Sequence, residues 1–208
     1  MIDLPMLLAF VAAATLLTLT PGVDTAIVLR AATAQGRRPA VMASLGIGLG
    51  CLLWGAAVSL GLGALLQASE LAYTAVKLAG AAYLLWLGAG LLLRPRQALD
   101  EDADAGSGGQ GAAFWRGFLT NLLNPKVGVF YVTFLPQFVP AGASVAGYSF
   151  FLAGLHVVLT LIWFAALIAA TVPLGRFLRR AAVIRALDRL TGGVLIAFGV
   201  RLAGSSAH

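Results

Sequence analysis

Three long stretches of this 208-residue chain contain no charged residue: 4–23, 39–69 and 127–175. A helix that crosses a bilayer needs about 20 apolar residues, so the first stretch fits one crossing and the last fits two. Backbone polar groups in lipid must be hydrogen-bonded within the chain, so these stretches predict α-helices. Only 11% of the residues are charged, whereas a soluble domain carries roughly 25%. The sequence therefore predicts an all-α, polytopic membrane protein and excludes a soluble enzyme, a nucleic-acid binder and a secreted disulfide scaffold.

The hydropathy pattern predicts six spans, at 5–29, 40–66, 73–93, 117–138, 145–172 and 187–203. The loops after the first, third and fifth spans carry arginines, whereas the loops after the second and fourth carry no Lys or Arg. Basic residues concentrate in cytoplasmic loops. We therefore expect the three arginine-bearing loops in the cytoplasm and both termini outside. The net charge of +6 follows from these loops and does not indicate nucleic-acid binding.

The two halves of the sequence repeat the same features. Pro21 and Pro125 are separated by half of the chain, and Gly50 and Gly154 have the same separation. This spacing predicts two three-span repeats, 1–93 and 114–208, joined by a mobile cytoplasmic linker at 94–113 that is acidic and rich in glycine. An odd number of spans per repeat gives the halves opposite orientations, as in many secondary transporters. Chance spacing of Pro and Gly in an apolar chain is the alternative.

Each repeat contains a proline that predicts a helix start within the membrane. Pro is favoured at the first position of a helix, with Thr or Asn before it as the cap. Thr20-Pro21 and Asn124-Pro125 fit this pattern. Two such starts facing each other near the midplane would present partial positive charge, which suits an anion such as a carboxylate. The alternative is that both prolines only bend packed helices.

A charged residue lies beside each proline: Asp24 follows Pro21 closely, and Lys126 is next to Pro125. A charge at the bilayer centre costs about 2.5–3.5 kcal/mol, so packing alone does not account for both. The helix dipole stabilises Asp24 but disfavours Lys126, which therefore needs a negative partner. That partner could be Asp24, a bound carboxylate, or each in turn. A static ion pair that fastens the two halves is the structural alternative.

Other chemistry-bearing residues are isolated. Cys51 is the single cysteine, so an internal disulfide or a redox pair is excluded. His156 is a lone intramembrane histidine, to which we assign a packing role, and no cluster suggests a metal or cofactor. Gly46 and Gly50 have the spacing of a helix-packing motif. No motif of a nucleophilic or metal-dependent enzyme is present, so we do not expect an enzyme.

The residues around the two prolines resemble a known family. The run Leu19-Thr20-Pro21-Gly22-Val23-Asp24 resembles the L-T-P-G-P-D signature of the LysE/RhtB superfamily of bacterial amino-acid exporters. Leu122-Leu123-Asn124-Pro125-Lys126 resembles the N-P-K signature of that family, and 134–138 follows it at the expected position. Residues 77–88 and 187–192 resemble its third and last spans. Val23 departs from the pattern, because it replaces the second proline and so softens the first break.

The resemblance implies export of amino acids or close derivatives across the bacterial inner membrane, driven by an ion gradient. Under this hypothesis Asp24 receives the substrate ammonium, while Lys126 and the two helix starts receive the carboxylate. The predicted binding residues are Thr20, Pro21, Gly22, Asp24, Asn124, Pro125 and Lys126. Asp24 is also the candidate for proton coupling.

The expected partners are an amino-acid substrate and the lipid bilayer, and a homo-oligomer is left open. Transport of another small solute or of a metal ion, or a non-transporting role as a membrane partner, are the alternatives. Nothing in the sequence selects the substrate or the coupling ion.

Overall fold

The computed structural model describes residues 3–68, 70–95, 109–140, 142–171, 177–178 and 180–204, and these form helices and short connections without any strand. In chain order the α-helices are α1 Leu4–Leu19, α2 Val23–Arg30, α3 Arg37–Ala68, α4 Glu70–Leu93, α5 Gln110–Leu122, α6 Pro125–Phe134, α7 Val145–Ala169 and α8 Ala181–Gly204. The all-helical prediction is confirmed. Most of the predicted linker, 96–108, lies outside the described residues.

Local sequence signals set several helix ends. The Asp3 carboxylate accepts a hydrogen bond from the Met6 backbone N–H at 3.1 Å and caps α1. The Ser144 hydroxyl accepts from the Gly147 N–H at 3.2 Å and caps α7. A turn of π-helix, Ala31–Gln35, extends α2 and ends at Gly36. Gly36 has φ +97°, a left-handed conformation that glycine adopts without steric cost.

Both predicted helix breaks are present, and two helices extend beyond the predicted spans. The helix pair Leu4–Leu19 and Val23–Gln35 is bent by 56°, and α5 is separated from α6 by residues 123–124. Helix α5 begins at Gln110, within the range predicted as the linker. The last helix begins at Ala181 rather than at 187. Hydropathy marks the lipid-facing part of a helix, whereas the hydrogen-bonded helix continues through flanking charged residues such as Arg185.

Glycines allow the long helices to pack closely. Helix α3 packs against both α5 and α7, and α4 packs against α8. A β-carbon on Gly46 would collide with the backbone of Phe114, and one on Gly117 with the backbone of Ala43. Gly88 and Gly192 face each other in the same way between α4 and α8. The assignment of Gly46 to helix packing is confirmed, because small residues let helix backbones approach.

A group of phenylalanines fills the interior beside α6. The rings of Phe130 and Phe134 stack with centroids 4.6 Å apart, and Phe134 contacts Phe198 of α8 at 4.3 Å. Phe138, in the 3₁₀ turn Leu135–Phe138, contacts Phe10 of α1 at 5.4 Å. The cluster therefore ties α1, α6 and α8 together through buried aromatic contacts.

The outer surface is strongly apolar. Leu93 is 81% exposed, Leu60 72% and Ile162 62%. Among the described residues, Arg37–Gly61 and Val145–Ala169 are long and apolar enough to cross a membrane, and the bent pair that begins with α1 makes a third if it counts as one span. Such a surface is expected where helices face lipid, and it fits a membrane protein. The count of six spans stays a prediction.

Candidate functional site

The first break separates α1 from α2 and does not have the predicted geometry. Helix α1 ends at Leu19, residues 20–22 are not helical, and α2 begins at Val23 with Gly22 as its cap. The prediction that Thr20 caps a helix starting at Pro21 is therefore wrong. The Thr20 hydroxyl instead donates to the Leu16 carbonyl at 2.7 Å and is hydrogen-bonded to the Thr191 hydroxyl of α8. These contacts engage the Thr20 hydroxyl, which therefore does not cap α2.

The second break has the predicted geometry. Asn124 is the cap of α6, Pro125 is its first residue, and the Asn124 Oδ1 accepts from the Lys126 backbone N–H at 3.1 Å. The Asn124 carbonyl accepts from Val127 and Gly128, both at 3.1 Å. Asn124 thus satisfies backbone donors that the first turn of a helix would otherwise leave without partners.

The two breaks meet at one small cavity of about 60 Å³. Its walls come from α1, α2, α3, α6 and α7 and from the two breaks. The lining residues are Leu17, Thr18, Thr20, Gly22, Asp24, Thr25, Cys51, Asn124, Lys126, Val127, His156, Thr160 and Phe164.

Five of the seven residues predicted for the site line this cavity: Thr20, Gly22, Asp24, Asn124 and Lys126. Pro21 does not line it, and the side chain of Pro125 lies outside the described residues. Pro21 lies within the first break, and Pro125 directly follows the second. The structure brings the two motifs together although about half of the chain separates them.

Opposite charges converge on the cavity. The Asp24 Oδ2 accepts a hydrogen bond from the Asn121 Nδ2 at 2.8 Å. The Asp24 Oδ1 is buried and has no hydrogen-bond partner among the described residues. The Lys126 ammonium interacts electrostatically with the Asp24 carboxylate, and a β-carbon built on Gly22 would lie 3.8 Å from the Lys126 Nζ. An acid from α2 and a base from α6 thus share one small volume.

Comparison with known proteins places the chain in a family. Residues 15–206 match the family model described as LysE type translocator. The chain belongs to this family. No solved structure matches it.

Three relatives of this translocator carry names that state a substrate. The leucine efflux protein of Klebsiella pneumoniae is 29% identical over 198 residues, which cover 94% of this chain and 93% of the relative. The threonine efflux protein of Escherichia coli K12 is 30% identical, with coverage of 88% and 90%. The homoserine/homoserine lactone efflux protein of Salmonella typhimurium is 30% identical, with coverage of 95% of each chain.

Several polar residues at or beside this cavity were not predicted. Asn121 is fully buried on α5 and contacts the Cys51 Sγ at 3.5 Å as well as Asp24. His156, assigned above to packing, lines the cavity, and its Nδ1 is hydrogen-bonded to the Tyr131 hydroxyl at 2.9 Å. One sequence feature could have identified these residues: each is an amide or an imidazole within an apolar run. In a membrane protein such residues face the protein interior.

A further buried carboxylate lies outside the cavity. Asp188 on α8 is fully buried, one helical turn before the Thr191 that is hydrogen-bonded to Thr20. Asp188 lies at the edge of the predicted last span. Because α8 begins earlier, at Ala181, Asp188 lies two turns inside the helix rather than at its start. The described residues contain no cluster of three His, Cys, Asp or Glu side chains that could hold a metal ion.

Proposed function

We propose that this chain is a secondary-active exporter that moves amino acids or close derivatives from the cytoplasm across the bacterial inner membrane. One observation carries the proposal: Asp24 and Lys126, from the two broken helices, line the same small cavity. The family and the efflux names of three relatives support it. We assign the chain no enzymatic role.

The site matches the two charges of an amino-acid zwitterion. The Asp24 Oδ1 is a buried acceptor without a protein partner in the described part of the chain, so it suits the substrate ammonium. The Lys126 ammonium, on the first turn of α6, suits the substrate carboxylate, as does the positive end of the helix dipole. Thr20, Gly22 and Asn124 complete the walls around the head group. Without substrate, Asp24 and Lys126 offset each other's charge, which limits the cost of burying either one.

We further propose that the fold consists of two inverted three-span repeats, with both termini outside. Each half contains a broken helix followed by two long helices, in the same order. Helix α1 of the first half packs against α7, and α5 of the second half packs against α3, so exchanging the halves exchanges the two contacts. The arginines of the odd-numbered loops support the orientation.

Transport then proceeds by alternating access. The cavity lies between the repeats, so rocking of one repeat against the other would open it to each side in turn. Asp24 is the proposed proton-coupling residue, because its carboxylate lies in the cavity beside Lys126. Protonation of Asp24 would weaken its hold on the substrate ammonium and couple substrate release to the proton gradient.

Exchange of labelled amino acids into proteoliposomes tests the proposal. The purified protein is reconstituted into vesicles preloaded with each amino acid, and uptake is compared for wild type, Asp24→Asn and Lys126→Ala. We expect wild type to exchange at least one amino acid and both variants to lose most of this activity. Asp3→Asn is the matched control, because Asp3 is exposed outside the cavity and Asn also caps helices.

Two results would contradict the proposal. Absence of exchange for every amino acid by folded wild-type protein would refute amino-acid transport and favour another solute or a non-transporting role. Exchange at the wild-type rate by either cavity variant would refute the assignment of the site.

A further inference from the structure

A notch on the exposed side of helix α4 takes no part in the proposed transport site. It has a volume of about 440 Å³, and in the described part of the chain seven residues of α4 line it, of which Arg94 alone is charged. Trp86, Gly90, Leu93 and Arg94 have the spacing i, i+4, i+7 and i+8, which places them on one face of the helix. Because Gly90 has no side chain, it leaves the space between Trp86 and Arg94 open.

The two neighbouring glycines of α4 differ in their surroundings. A β-carbon on Gly88 would lie 2.8 Å from the carbonyl oxygen of Gly192, so Gly88 is needed where α4 packs against α8. A β-carbon on Gly90 would meet nothing within 4 Å among the described residues, and Gly90 is exposed. Glycine is less favourable than alanine inside a helix, and no contact in the described fold gives a reason for it here. A molecule outside this chain that lies against Gly90 provides such a reason.

The polarity of the notch changes along its length as it does in a phospholipid. The stretch 78–93 contains no charged residue, and Arg94 is the first charge after it. Trp86 is 69% exposed and Leu93 81% exposed, and the exposed Arg94 adds a positive group at the end. From Trp86 to Arg94 the helix rises about 12 Å, which is most of one leaflet of about 15 Å. The notch therefore offers apolar surface to an acyl chain and a guanidinium to a phosphate.

Charge favours a lipid over the other candidate occupants. Two copies of this chain in one membrane would pair through the same face at the same depth, which would bring two Arg94 side chains together, and like charges repel. The acidic stretch 100–104 follows Arg94 in the sequence and lies outside the described residues. Its carboxylates match the guanidinium but not the apolar end of the notch. An anionic lipid matches both ends.

We propose that the notch on α4 binds an anionic phospholipid, with an acyl chain on Gly90 between Trp86 and Leu93 and the phosphate paired with Arg94. A zwitterionic lipid fits less well, because its own cationic group offsets the attraction to Arg94. Under the proposed orientation the site lies in the cytoplasmic leaflet. The inference requires that α4 crosses the membrane, and it holds whether or not the chain carries amino acids.

Brominated lipids, which quench tryptophan fluorescence on contact, test the site through Trp86. The full-length protein is reconstituted into vesicles of phosphatidylglycerol and phosphatidylcholine with identical chains, and either one lipid or the other carries the bromine. The chain has four tryptophans, so the Trp86 signal is the difference between each protein and its Trp86→Phe version. We expect phosphatidylglycerol to bind beside Trp86 about fivefold more strongly than phosphatidylcholine, as for one arginine near anionic lipid.

Two variants separate the parts of the site. Arg94→Gln should make the two lipids equal quenchers of Trp86, because the guanidinium is lost and the apolar surface remains. Gly90→Leu should also lower the preference, because the added side chain fills the space of the acyl chain. Arg37→Gln is the control for charge, since Arg37 is an exposed arginine at the start of α3. Gly61→Leu is the control for bulk, since Gly61 is exposed and its β-carbon would meet nothing within 4 Å among the described residues. Neither control should change the preference.

Several outcomes would overturn the inference. Equal quenching by the two lipids in wild type would refute the site, as would a preference that Arg94→Gln or Gly90→Leu leaves unchanged. An equal loss of preference in Arg37→Gln would show a diffuse attraction to the positive surface instead of a site. If crosslinking in vesicles shows a dimer that Gly90→Leu dissociates, and phosphatidylglycerol is not preferred, the notch is an interface between two copies. Failure of amino-acid exchange would refute the proposed function and leave this inference unaffected.

Discussion

At the scale of single residues, the two oxygens of the Asp24 carboxylate differ in their hydrogen bonds. Asn121 donates to Oδ2 at 2.8 Å, whereas Oδ1 has no partner among the described residues. A hydrogen bond to a charged group contributes about 1.5–3 kcal/mol, so Asn121 restrains the carboxylate without using all of its capacity. We expect the second oxygen to be the atom that the substrate ammonium contacts.

Removing the Asn121 amide should therefore act through Asp24. We expect Asn121→Ala to raise KM for the carried amino acid roughly tenfold, from the loss of about 1.4 kcal/mol of positioning. In the Asp24→Asn background the same substitution should have little further effect, because the restrained carboxylate is already absent. Exchange kinetics of both single variants and the double variant measure this, and fully additive effects would show that Asn121 acts independently.

The cap of α6 makes a separate contribution to stability. Asn124→Ala removes the acceptor of the Lys126 backbone N–H and should lower stability by about 1 kcal/mol. Asn124→Ser should retain most of the wild-type stability, since Ser is an equally good cap. Thermal unfolding in detergent gives the comparison. Equal melting temperatures for the Ala and Ser variants would contradict a capping role.

At the scale of elements, the face of α3 that packs against α5 determines the position of Asn121. Gly46 and Gly50 lie on this face, and their missing side chains let α5 approach. A β-carbon added to Gly50 would lie only 2.5 Å from the Asn121 Oδ1 of α5. The distance between these helices thus determines whether Asn121 reaches Asp24.

A methyl group at residue 50 should consequently reduce transport without touching the cavity charges. We expect Gly50→Ala to displace Asn121 and to raise KM about as much as Asn121→Ala, roughly tenfold. Gly61→Ala on the same helix is the matched control, because nothing lies within 4 Å of its added β-carbon. Equal kinetics for the two alanine variants would show that the position of Asn121 tolerates the methyl group.

At the scale of the whole molecule, the cavity is the place where the two halves meet. Thr20 and Asp24 come from the first half, whereas Asn124, Lys126 and His156 come from the second. Cys51 of α3 lines the same cavity, and it is the one cysteine of the chain. A single native thiol therefore reports on access to the proposed site.

A carried amino acid should protect Cys51 from a small alkylating reagent. Because Cys51 is only 2% exposed, N-ethylmaleimide can reach it only when the cavity opens, and we expect saturating substrate to slow labelling of the purified protein by about threefold or more. Cys51→Ser gives the background of the assay, and an amino acid that is not exchanged should not protect. Labelling that is insensitive to every exchanged amino acid would place the substrate elsewhere.

The helices, the two breaks and the charges beside them follow from the sequence alone, because each depends on local properties. Apolar runs predict helices since lipid leaves the backbone no other partners. Asn124-Pro125 predicts a helix start because the cap and the first residue are neighbours in the chain. The burial cost of an isolated charge already marks Asp24 and Lys126 as functional candidates.

Tertiary structure alone decided which polar side chains meet at and around the cavity. Asn121 reaches Asp24 across 97 residues, and Thr20 contacts Thr191 across 171 residues. From sequence, His156 is assigned to packing because it is a lone histidine, and its contact with Tyr131 of a different helix is visible only in the structure. Such contacts depend on how packed helices are rotated and spaced, and hydropathy carries no information on that rotation.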